Sequence, residues 1–176
     1  MRDVETSGST MADDAHRYRV ALIWTGNRGD GTARYEDYGR EFTVSVDGKC
    51  TLQGSADPAF RGDPGLLNPE DLLLVSVSSC HMLSYLALCA RHRISVLSYR
   101  DDATARMQLT PDGGGRFTSA TLHPRVVVED AAHVDSATAL HERAHALCFI
   151  ASSCNFPISH EATVTAAVQV AAESLR

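Results

Sequence analysis

No C-x-x-C pair occurs in this chain, and its five cysteines, Cys50, Cys80, Cys89, Cys148 and Cys154, are an odd number. Both facts argue against a disulfide framework. The N-terminus lacks a secretory-signal pattern, so reduced thiols in a cytoplasm are expected. Basic residues are scarce. With 16 Lys plus Arg and a net charge of -6, the chain is not built for a nucleic-acid partner. No internal repeat is visible. What remains is ordinary for a soluble globular protein: 44% apolar and 22% charged residues, in 176 residues that suffice for one domain with a sizeable core.

Charge is also missing from one long stretch, and that stretch organises the chain. Asn68 to Arg93 reads NPEDLLLVSVSSCHMLSYLALCARHR, with no Asp, Glu, Lys or Arg from Leu72 to Ala90. It opens as a helix should. Asn68 caps, Pro69 suits the first helical position, and Glu70 and Asp71 complement the positive helix end. Arg91, His92 and Arg93 mark the stop, where cations are favoured. A helix apolar on every side is a core helix. Ser76, Ser78, Ser79, His81 and Ser84 interrupt the run, so no membrane span is expected. Cys80 sits in the middle, a buried thiol with His81 beside it.

The rest of the chain alternates strands and turns. Residues 1–16 are polar and are expected to be a disordered tail. Strands are expected over Tyr18–Thr25, Thr32–Tyr38 and Arg40–Val46, with a turn at Asn27–Gly31 and a hairpin turn at Asp47-Gly48. Cys50 is expected in a strand. Ser55–Leu67 is loop. After the long helix, Ile94–Leu109 and Phe117–Glu129 form a strand pair across the turn Pro111–Gly115, with a bulge or an edge at Pro124. A second helix runs through SATALHERAHALCFIAS, and Glu161–Ala171 is a last strand. Strands and helices are partly segregated, so the fold class is α+β, with about six strands. One layer of short strands covers only one face of a helix that is apolar all round. A second copy of the chain is expected to cover the rest, giving an intertwined homodimer.

His141-Glu142-Arg143-Ala144-His145 matches H-E-x-x-H, the helix spacing of zinc peptidases. Catalytic zinc needs a third protein ligand, and no known spacing recommends His160 for it. No metal or cofactor is expected, and the zinc hydrolase is the third choice of function.

Two helical cysteines far apart in sequence, Cys80 and Cys148, carry a more specific signal. Asn68-Pro69-Glu70, an apolar stretch, and a cysteine twelve positions after the Asn resemble the signature of the OsmC/Ohr family of hydroperoxide-reducing proteins. CFIASSCNFP around Cys148 is a second, weaker match, and the element order from about residue 17 to residue 172 agrees. The resemblance implies an OsmC-like domain over residues 17–176. It implies a cysteine peroxidase that reduces organic hydroperoxides in oxidative stress defence. Cys80 would be oxidised to a sulfenic acid, Cys148 would resolve it as a disulfide, and an external dithiol would reduce the disulfide.

Geometry adds a condition. Cys80 lies about three turns into its helix, beyond the field of the helix end, and burial alone raises a thiol pKa. A buried cation is needed, and arginine stays charged when buried. The family uses an arginine held by a glutamate, and Glu70 matches that glutamate. Glu70 and Cys80 are about 15 Å apart along one helix, so Glu70 should come from the other subunit. Arg40, in YEDYGREF, resembles the Tyr-x-x-Tyr-x-Arg of a less characterised branch and is favoured as the activating arginine, ahead of Arg61 and Arg28. His81 points about 100° away from Cys80 and is expected as packing or as a substrate-pocket wall, with Arg61 also near the substrate. The family's second cysteine is followed by Pro; here Phe149 follows Cys148, and Cys154 is a possible stand-in. Cys89 is expected in the core. The alternative function is a non-enzymatic binder of a small apolar or electrophilic molecule.

Overall fold

The computed structural model describes residues 15–167. Most of the expected N-terminal tail and the end of the expected last strand lie outside the described residues. The chain divides into two compact units, residues 1–67 and 68–176.

The first unit is a three-stranded antiparallel sheet of β1 (Ala21–Trp24), β2 (Phe42–Ser45) and β3 (Leu52–Gly54), in that order. Leu22 pairs with Val44 and Trp24 with Phe42. The Asp47-Gly48 hairpin forms as expected, with Gly48 at φ 73. Thr32–Tyr38 is not a strand but a set of turns. The Asn27 side chain explains the turn before it, because Oδ1 accepts from the backbone N–H of both Gly29 and Gly31. Gly31 takes φ 59 there, a conformation that glycine adopts without strain. Cys50 is exposed and precedes β3 rather than lying in it.

The second unit is organised by α1 (Pro69–Arg91), a helix long and apolar enough to cross a bilayer by length and composition. Both of its ends are capped. The Asn68 side chain accepts from Asp71 N–H at 2.8 Å, and the Asp71 carboxylate accepts from Asn68 N–H at 3.2 Å, which is a capping box. At the other end Arg93 N–H bonds the Ala90 carbonyl and Ile94 N–H bonds the Cys89 carbonyl, the two bonds of a Schellman motif. Arg93 takes the left-handed position, φ 59, where glycine is usual.

After α1 come β4 (Val96–Asp101), β5 (Thr104–Leu109), β6 (Gly115–Leu122), β7 (Pro124–Val128), α2 (Val134–Ala146), α3 (Phe149–Ser152), β8 (Ile158–His160) and β9 (Thr163–Ala166). They form two three-stranded sheets, β4-β7-β9 and β5-β6-β8, each mixing an antiparallel with a parallel pair. Nine strands are described where about six were expected, chiefly because two expected long strands each break in the middle. Asp101 marks both breaks. It ends β4, its Oδ1 accepts from His123 N–H between β6 and β7 at 2.7 Å, and its Oδ2 accepts from the Ser78 hydroxyl on α1 at 2.5 Å. Pro124 opens β7 at that corner, where a missing N–H costs the ladder least.

Tyr85, Leu88 and Cys89 of α1 pack with Ile94, Val126 and Val128, and with Ala137 and Ala144 of α2. The buried residues of α1 are Val77, His81, Tyr85, Leu88 and Cys89, a stripe at helical spacing. Val75 and Leu83 on the same helix are 54% and 62% exposed.

Candidate functional site

The segment expected as one second helix is two. α2 ends at Ala146, Leu147 caps it, and Cys148 adopts an extended conformation, φ -74 and ψ 105. Cys148 is thus the N-cap of the short α3 rather than a helical residue. Its sulfur accepts from Ala151 N–H at 3.4 Å, and its S–H is directed at the Val77 carbonyl of α1, 4.0 Å away. That side chain is fully buried. The Cys80 thiol is its neighbour, near enough to act on its titration. Two cysteines 68 positions apart thus come near each other because α3 begins against α1 one turn before Cys80. Burial pushes the Cys148 thiol up to about 11, opposed by the Ala151 N–H and reinforced by Cys80. Cys148 therefore carries its proton at neutral pH. Cys80 is half-buried, the more accessible of the two.

Cys89 lies in the core as expected, its pKa raised by burial. Cys154 is half-buried just past α3. Glu70 is half-buried in the first turn of α1, and its carboxylate has no hydrogen bond or ion pair among the described residues. α1 runs unbroken from Pro69 past Cys80, so Glu70 and Cys80 of one chain stay apart.

The three arginine candidates belong to the first unit and differ in how they are held. The Arg40 guanidinium lies over the rings of Tyr35 and Tyr38, 4.4 and 4.0 Å from their centroids. It donates to the Tyr35 carbonyl at 2.7 Å and to the Tyr38 carbonyl. Trp24 braces the group, its ring edge against Tyr38 and its Nε1–H on the Gly39 carbonyl at 2.8 Å. Aromatic faces and carbonyls hold a cation without cancelling its charge. Arg28 is different: Glu41 pairs with it at 2.5 Å. Arg61 is exposed, sits at φ 68 and reaches the Glu36 carbonyl at 3.3 Å.

His81 is fully buried, and its partner is one the sequence did not reveal. Its Nε2 lies 3.0 Å from Nδ1 of His141 on α2, with the two ring planes within 8° of parallel. Their centroids are 5.4 Å apart, so the rings meet edge to edge rather than face to face. Tyr85 stacks on the face of His141 at 3.9 Å. His141 is therefore spent on α1, and Glu142 points outward, 3.4 Å from His160. No group of three or more His, Cys, Asp or Glu among the described residues is arranged to hold a metal ion, so the H-E-x-x-H spacing does not make a chelate here. His141 stood out in the sequence only through that motif, and nothing local to it pointed to His81.

A surface cleft elsewhere in the second unit is lined by Asp102, His123, Arg125 and Glu161. Ion pairs cross it, and it includes neither Cys80 nor Cys148.

A long capped helix carrying a thiol, met by a second thiol at a helix break among mixed sheets, defines a class of two-cysteine α+β domains. A family model described as OsmC-like protein matches residues 62–163, more than half of the chain, and the chain belongs to that family. The chain is similar to an OsmC-like protein of unknown function from Vibrio cholerae, at 26% identity and a TM-score of 0.75, covering 85% of this chain and all of that one. It shares its fold with an organic hydroperoxide resistance protein from Legionella pneumophila, at 18% identity and a TM-score of 0.60, over 86% and 99% of the two chains. A second such protein, from Elizabethkingia anophelis, matches at 17% identity and a TM-score of 0.57, over 86% and 99%. No curated protein matches at a comparable level.

Proposed function

We propose that this protein is a cysteine-based peroxidase that reduces organic hydroperoxides. One observation carries the proposal: the Cys80 and Cys148 thiols are neighbours, one half-buried and one hidden. The Cys80 thiolate attacks the O–O bond and takes the terminal oxygen, becoming a sulfenic acid. The alkoxide leaves and is protonated to the alcohol. The Cys148 thiol then attacks the sulfenic sulfur, the S–S bond forms and water leaves, taking the Cys148 proton. A cytoplasmic dithiol returns two electrons and two protons. A Cys148 pKa of about 11 keeps that thiol protonated until its turn comes.

Arg40 is the arginine we assign to keeping Cys80 ionised, because aromatic rings and carbonyls hold it and, among the described residues, no carboxylate of its own chain pairs with it. Glu70, from a second copy of the chain, orients it. The working unit is then a homodimer, and the exposed Val75 and Leu83 on α1 give the second copy an apolar surface to cover. Stopped-flow oxidation with cumene hydroperoxide tests the assignment. Cys80→Ser should abolish peroxide consumption. Cys148→Ser should allow one turnover and then stall. Peroxide consumption by Cys80→Ser at the wild-type rate would end this account.

A further inference from the structure

Four histidines gather in the second unit from three elements: His81 on α1, His141 and His145 on α2, and His160 on β8. Ring centroids lie 5.4 Å apart for His81 and His141, 5.5 Å for His81 and His160, and 5.8 Å for His160 with both His141 and His145. The peroxidase chemistry does not use them. The central bond of the group, His81 Nε2 to His141 Nδ1, joins α1 to α2.

That bond needs at least one neutral ring, and a proton on either ring puts a charge in a buried site whose outer nitrogens have no partner. A neutral imidazole has one N–H and one bare nitrogen, so one ring donates to the other. An imidazolium has two N–H groups and no acceptor, so two protonated rings cannot share the bond. The outer nitrogens, His81 Nδ1 and His141 Nε2, are buried without a partner. Whichever ring donates, one buried N–H is left without an acceptor, a cost the junction already carries when both rings are neutral.

Other groups facing the cluster give little relief to added charge. From α1 comes Tyr85, and from α2 come His145 and the exposed Glu142, whose carboxylate is engaged with His160. From β4 comes Asp101, already bonded to Ser78 and to His123 N–H. Burial first, and then the neighbouring imidazoles, lower His81 to about 4 and His141 to about 3.

We propose that this cluster is an acid-sensitive latch that keeps α2 docked on α1 and thereby holds Cys148 against Cys80. α2 ends two residues before Cys148, so a helix that swings away carries the second thiol with it. The geometry of the thiol pair and the state of the imidazoles become one equilibrium. Neutral rings keep the pair in register, and acid withdraws Cys148 while leaving Cys80 on α1. The consequence for turnover rests on the peroxidase assignment above; the latch itself does not.

The test omits peroxide, so that its failure and the failure of the peroxidase assignment are distinguishable. Cys148 labelling by 4,4′-dithiodipyridine, which reacts in acid, is followed by peptide mass spectrometry and normalised to the exposed Cys50. Wild type is compared with the double variant His81→Gln/His141→Asn, whose amides keep a hydrogen bond near the same two atoms but do not titrate. If the opened rings regain their ordinary pKa of 6.5, each imidazole favours opening by roughly 30-fold at pH 5 relative to pH 7.5. Cys148 labelling in wild type should rise by at least that factor, and the double variant should stay flat. Equal rises in both proteins, or no rise in wild type, would overturn the latch. Nitrogen-15 NMR of the wild-type imidazoles serves if the double variant does not fold. His81 and His141 should then stay neutral until Cys148 opens, and titration near 6.5 with Cys148 still closed would overturn it.

Discussion

The two faces of α1 are made of the same kind of side chain and end in different places. Val77, Tyr85 and Leu88 lie on the stripe that enters the core, with His81 bonded to α2 between them. Val75 and Leu83 remain exposed. Composition does not separate the faces, because the run has no charged residue from Leu72 to Ala90. Tertiary partners separate them: α2, β4 and β7 cover one face, and this chain's second unit leaves the other bare. A helix that is apolar all round in a chain that covers one side is a demand for a second surface.

The largest break in that comparison should come from Tyr85→Ala. Loss of a fully buried ring that stacks on His141 should cost about 3–5 kcal/mol in a urea melt. Leu83→Ala, on the bare face, should cost under about 0.5 kcal/mol when the chain is dilute enough to be monomeric. A comparable loss at Leu83 under those conditions would erase the distinction between the faces.

Acid comes next, and it acts only on the covered face. His81 and His141 bind protons more weakly when folded, at about 4 and about 3, than when unfolded, at 6.5. The unfolded chain therefore takes up more protons below pH 6.5. Stability is full above that value and falls as pH drops toward 4, by about 2 kcal/mol per imidazole at pH 5. Melts at pH 7.5 and pH 5 should show this loss in wild type and lose it in His81→Gln/His141→Asn. Smaller effects belong to the helix ends. Asn68→Ala removes the capping box and should cost about 1 kcal/mol. Arg93→Gly places glycine at φ 59 and should raise stability by about 0.5–1 kcal/mol in the same assay.

How much of this was legible in the sequence follows from the range of each cause. Both ends of α1 were legible, since Asn68, Pro69, Asp71 and the Arg91–Arg93 run act within one turn. The Asp47-Gly48 hairpin was legible for the same reason. Thr32–Tyr38 looked like a strand because its residues favour strands, but the Asn27 turn before it and the Arg40 cradle on Tyr35 and Tyr38 shape it otherwise. The breaks after Asp101 and at His123 depend on a carboxylate bonded to a serine 23 positions away, which no local pattern encodes. Cys148 stood out as a candidate, but it was placed inside a helix because apolar spacing continues across Leu147. Its contact with Cys80 depends on the break that the spacing conceals. His81 and His141 are 60 positions apart, and only the folded chain joins them.

One measurement bears most directly on the central claim that Cys80 and Cys148 form a working pair. Reduced protein is treated with one equivalent of an organic hydroperoxide at pH 7.5, alkylated and mapped by mass spectrometry. The account predicts a Cys80–Cys148 disulfide as the main product. Cys80 overoxidised to the sulfinic acid with Cys148 still reduced, or Cys80 joined to Cys154, would contradict it.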